Sequence, residues 1–140
     1  MIDGYRDFQR DADSFLRTAL GAKRRPRVFT PTILHGILSM AIEKHMMAIL
    51  MHSDELPDNH SFDHLVRAMD GVAPLDPVVA SFLLELDSFD NICSLAPHHR
   101  PEPDAALVER MIDASCAVRD HADALLGPVG EWESPTRQAT

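Results

Sequence analysis

Apolar residues recur at three- and four-residue steps in five separate segments of the chain, and no segment shows the period of two expected of a half-buried strand. The pattern predicts an all-α protein. A first helix is expected over about residues 3–20, with Tyr5, Phe8, Ala12, Phe15, Leu16, Ala19 and Leu20 along one stripe and Gly21 as its stop. Thr30 as N-cap and Pro31 at the first helical position open a second helix that runs to about residue 52. Ile33, Ile37, Met40, Ala41, Lys44, Ala48 and Met51 form one of its faces, but Ile42, Met46, Ile49 and Leu50 make its C-terminal half apolar nearly all round, so it should lie at the centre of the fold.

The short polar turn SDELPDN, stopped by Pro57, folds a third helix over about residues 61–69 back against the second. Asp76 and Pro77 open a fourth, which continues through VVASFLLELDSFDNICSL with Val79, Phe82, Leu83, Leu86, Phe89 and Cys93 as its core face. The proline-rich loop APHHRPEP breaks it. The fifth, about residues 104–126, carries Leu107, Val108, Met111, Ile112, Ser115, Val118, Ala122 and Leu125 and stops at Gly127-Pro128. Residues 1–127 then make one bundle domain, and residues 128–140, which include Trp132, a flexible tail.

Composition changes this picture little. A chain of 140 residues, 45% hydrophobic and 25% charged, can bury one ordinary core. The N-terminus lacks the apolar stretch of a signal peptide, and the longest apolar run, MMAILM, is too short to span a bilayer, so no membrane partner is expected. Cys93 and Cys116 form no CxxC pattern and read as reduced thiols of a cytoplasmic protein, with one disulfide left open.

Charge adds a feature of its own. The net charge of −9 argues against bulk attraction to nucleic acid, yet Lys23, Arg24, Arg25 and Arg27 fall together in AKRRPRVF, the one concentrated positive patch. A guanidinium cluster of this kind is suited to phosphate or RNA-backbone contact. The competing reading, a solvated connection that balances acidic faces nearby, is favoured by the overall acidity.

Eight histidines invite a metal site, but their spacing does not assemble one. His45 and His52 share a helix face at a separation of about 10 Å, too far for a single ion. His60 and His64 have a chelating spacing, although His60 is expected to precede or cap the third helix; His98 and His99 lie in the proline-rich loop. Capping, polar and surface roles are the favoured reading of these residues, and no cofactor is expected. No nucleophile elbow or glycine-rich phosphate loop occurs. Met46, Met47 and Met51 read as core, with a soft partner-binding face as the alternative.

The segment SMAIEKHMMAILMH, a proline-containing turn and NHSFDHLVRAM together resemble the HEPN superfamily, small helical bundles of bacterial nucleotide- and RNA-related systems. Ala41, Glu43 and Lys44 match its A-x-E-K core, and His60 and Leu65 its following loop and third helix. The resemblance spans about residues 5–126 and implies a HEPN-like up-and-down bundle of about five helices. Ribonuclease members carry Arg-x(4–6)-His near the fourth helix, often with Asn directly after the Arg. In FDNICSLAPHH, Asn91 matches, but Asp90 stands in the arginine's place and His98 and His99 fall beyond the spacing. An aspartate repels phosphate rather than stabilising its transition-state charge.

The resemblance thus implies a non-catalytic binding or regulatory module. It also implies a homodimer, a nucleotidyltransferase-like protein partner, and a nucleotide or RNA as ligand. The alternative is a divergent nuclease or metal-dependent hydrolase using His45, His60 and His64 with Glu43 or Asp63. A third reading is a scaffold that dimerises through its methionine face at Met47.

Overall fold

The computed structural model describes residues 1–95 and 102–130, the side chains of Lys23 and of residues 91–95 excepted. The core position expected of Cys93, the side chain of Asn91, and His98, His99 and Trp132 therefore lie outside the described residues. Among the described residues all regular secondary structure is helical: α1 (Tyr5–Gly21), α2 (Pro31–His52), α3 (Phe62–Asp70), α4 (Pro77–Leu95) and α5 (Ala105–Leu126). A single 3-10 turn, Ala22–Arg24, follows α1.

The helix starts follow from local chemistry. Thr30, Ser61 and Asp104 accept hydrogen bonds from the backbone N–H groups of Ile33 (3.3 Å), His64 (3.3 Å) and Leu107 (2.7 Å). Each satisfies one of the amides that a helix leaves unpaired at its first turn. Pro31 and Pro77 occupy first helical positions, where no N–H is needed. At the end of α5, Gly127 takes φ +85°, which a side-chain-bearing residue rarely adopts.

Packing centres on α2. Tyr5 meets His52 edge-on with ring centroids 5.1 Å apart, and Asp13 meets His45, so α1 and α2 run antiparallel. α5 packs against both. Every residue from 45 to 51 is buried, Met46 and Met47 among them, as the all-round apolar pattern required. By length and composition α2 could cross a membrane. Its C-terminal half is instead enclosed by neighbouring helices, the usual state of a central core helix.

The expected faces shift where helices end. Ile33 and Met40, expected in the core, are 46% and 39% exposed. The register set at Tyr5–His52 and Asp13–His45 runs α1 out before it covers the first turns of α2, and Met40 points away from buried Leu38, Ala41 and Ile42. Leu20 and Leu125 are likewise exposed, burial passing to Ala19, Ala22 and Leu126. Gly21 does not stop α1 through a left-handed backbone; the chain tightens into the 3-10 turn instead.

Two polar clusters lock the helices together. Arg6 donates from Nη2 to the Leu126 carbonyl (2.5 Å) and from Nη1 to the Gly127 carbonyl (3.2 Å) and Gln9 Oε1 (2.9 Å). Fully buried Gln9 donates to Asp123 Oδ1 (3.3 Å) and to the Gly127 carbonyl (2.9 Å). The last carbonyls of α5 are thus capped by side chains of α1. On the other side, Asp87 of α4 accepts from Phe62 N (3.1 Å) and Asp63 N (2.8 Å). Those bonds hold the start of α3, a helix too short to be stable alone.

Cys116, half-buried on α5, carries a free thiol. Burial raises its pKa above the ordinary value, Asp120 and Asp113 add to the rise, and Arg119 partly opposes it. Alkylation by iodoacetamide, followed by mass spectrometry on the tryptic peptide of residues 111–119, should be slower in the folded chain than in urea. Its rate should reach its plateau at a higher pH in the folded chain than in urea, where the thiol is ordinary. A folded-state rate and pH midpoint equal to those in urea would contradict this placement.

Candidate functional site

The basic loop connects α1 to α2. It is built by backbone bonds: Arg25 N to Ala22 O (2.9 Å), then Val28 N (3.1 Å) and Phe29 N (3.0 Å) to Arg25 O. Pro26 supplies no donor and prevents continuation of the helix. Arg24, Arg25 and Arg27 are all exposed, and none forms an ion pair with a described residue. The side chain of Lys23 lies outside the described residues.

Three residues after Arg27, Thr30 caps α2, a helix of 22 residues. Its N-terminus adds the partial positive charge of unpaired amides and aligned peptide dipoles. The loop therefore brings exposed arginines in sequence up to a helix start that itself favours anions. Thr30 already occupies the Ile33 amide, so the loop arginines are the main ligands this arrangement can offer.

The histidines take separate partners. His45 is fully buried, with Nε2 3.0 Å from Asp13 Oδ1 on α1 and Nδ1 unpartnered. His60 Nδ1 lies 2.8 Å from Glu43 Oε1, an exposed pair joining α2 to the turn before α3. His64 Nδ1 lies 2.6 Å from Ser61 Oγ, inside the cap of its own helix. His52 packs on Tyr5, and His121 Nε2 lies 2.9 Å from the Ala73 carbonyl.

The structure thus brings Glu43 and His60 together, sets His64 on Ser61, and buries His45 against a different helix. Asp63, the other acid considered, pairs with Arg67 at 3.1 Å. Among the described residues no group of three or more His, Cys, Asp or Glu side chains is placed to hold a metal ion.

Sequence periodicity missed Asp13, Asp87 and the pair formed by His35 and Asp90. Asp90 places Oδ1 3.0 Å from His35 Nε2, without the alignment of a hydrogen bond. His35 also leans on Phe89, with ring centroids 5.9 Å apart. No spacing rule could have found these contacts, since each joins helices far apart in sequence. Comparison with known protein families, curated proteins and solved structures finds no match to this chain.

Proposed function

We propose that this chain is a HEPN-like, non-catalytic binding module of the cytoplasm that holds a phosphate-bearing ligand, a nucleotide or RNA, through Lys23, Arg24, Arg25 and Arg27. The observation that carries the proposal is the exposure of Arg24, Arg25 and Arg27 without an ion-pair partner among the described residues, in a chain of net charge −9. Acidic side chains are plentiful, so a merely balancing loop would be expected to engage some of them. The pattern of Ala41, Glu43, Lys44, His60 and Leu65 across the second helix, the turn and the third helix supports the HEPN likeness, and the exchange of the motif arginine for Asp90 supports the absence of ribonuclease chemistry.

The test is binding of a labelled single-stranded RNA and of a nucleotide to the wild type and to a variant with all four basic residues replaced by alanine. The variant should bind RNA at least about tenfold more weakly, and its salt slope should flatten by about 0.7 for each phosphate that it no longer neutralises. Equal binding by both proteins, or none by either, would remove the phosphate contact from the proposal.

The module is proposed to work as a homodimer, and a nucleotidyltransferase-like protein is the partner class the resemblance implies. The face put forward for the dimer is the stripe of Ile33, half-buried Ile37 and Met40 on α2. Gly36 shares that stripe, and a Cβ placed there would meet nothing within 4 Å, leaving room for close approach. Sedimentation equilibrium of the wild type and of Met40→Glu tests this; a wild-type monomer, or a Met40→Glu dimer of unchanged affinity, would rule the stripe out.

A further inference from the structure

A groove of about 530 Å³ runs between the first turns of α4 and the middle of α5. Val79, Phe82 and Ala114 give it an apolar floor, and exposed Val78 stands at its edge. Val79 also lines a second hollow of about 190 Å³ with Leu75, Ala117 and His121, so the two continue along one seam. Its rim is charged: Arg110 lies over the Phe82 ring, 4.5 Å from its centroid, and pairs with Glu85 at 3.0 Å. Asp113 stands on the same rim, and Asp76 borders the second hollow. The two hollows together are bordered by three carboxylates and one guanidinium, which is already paired with Glu85.

We propose that this groove docks one amphipathic helix of a partner protein, with aliphatic anchors on its buried face and lysine or arginine along its margins. The shape favours a helix over a small molecule. Pockets for small ligands enclose most of the ligand surface, whereas Val78 remains 78% exposed and the side chains of Glu85 and Arg110 are 64% and 56% exposed. An open trough between two antiparallel helices accepts a third helix by ordinary side-chain interdigitation. The net negative rim selects the sign of the flanking charges, because a like-charged helix would be repelled and an opposite one attracted. This surface belongs to elements other than the basic loop and does not depend on the phosphate proposal.

The test uses the full chain and a fluorescein-labelled model helix of about 18 leucine and lysine residues, with leucines at helical spacing on one face. Fluorescence anisotropy is read at about 0.15 M salt and repeated at about 0.5 M to screen diffuse attraction. Saturable binding by the wild type is expected. Val78→Asp and Asp113→Lys, both surface changes, should each weaken it by at least about tenfold while leaving the circular dichroism spectrum unchanged. The basic-loop alanine variant should bind the helix as the wild type does, which separates this site from the RNA site.

Absence of saturable binding, or equal binding by the wild type and Val78→Asp, would overturn the proposal; the second result would assign the attraction to net charge alone. A wild-type oligomer dissociated by Val78→Asp but not by Met40→Glu would overturn it in favour of a second copy of this chain.

Discussion

Met47→Glu is expected to strip the protein of at least about 4 kcal/mol of stability, a large part of what a domain of this size possesses. Met47 is 3% exposed and belongs to the central cluster around α2. A carboxylate there is surrounded by the apolar core and must either lose hydration or protonate. Urea denaturation followed by circular dichroism should show the loss as a lowered midpoint or as a chain already unfolded in buffer. The third functional reading treated Met47 as a dimer contact, and its burial corrects that assignment. Met40→Glu, on the exposed stripe of the same helix, should keep the wild-type stability within about 0.5 kcal/mol and change only the association state. A folded Met47→Glu protein with an unshifted midpoint would mean that this side of α2 is not core.

His45→Ala should cost about 3–5 kcal/mol. The imidazole is fully buried, and Asp13, its partner at 3.0 Å, has a side chain only 13% exposed. With Asp13 ionised, Nε2 carries the proton that it donates. Alanine would leave both a cavity and a nearly buried carboxylate without that donor. Replacing the two residues together with apolar side chains, as in Asp13→Val with His45→Leu, should recover at least about 1 kcal/mol relative to the sum of the single changes. A cost below about 1 kcal/mol for His45→Ala, or strict additivity, would show that the pair contributes no more than any polar neighbour.

Much of the candidate site was legible because its charges are contiguous in the chain. The run from Lys23 to Arg27 can be read directly as a positive patch, and Pro26, Thr30 and Pro31 place it between two helices. Whether its arginines are neutralised was not legible, since any acid in the chain could have folded onto them. The histidines show the reverse. His60 and His64 looked like neighbours at one ion, yet Glu43 and Ser61 take them separately. Their partners are chosen by how α2, the following turn and α3 sit together.

By itself the sequence determined where the helices begin and, at Gly127, where α5 ends, because caps, first-turn prolines and a glycine that accepts positive φ act within a few residues. It also determined that the C-terminal half of α2 is central, since an all-round apolar helix has no side to offer water. Tertiary structure alone decided which stripes stay covered and which polar groups meet. Asp13 with His45, Arg6 with the end of α5, and Asp87 with the start of α3 are contacts between distant segments. Helical periodicity assigns a residue to a face of its own helix, but only the packing of neighbouring helices decides which faces they reach. That is why Met47 is core and Met40 is surface on a helix where both are equally apolar.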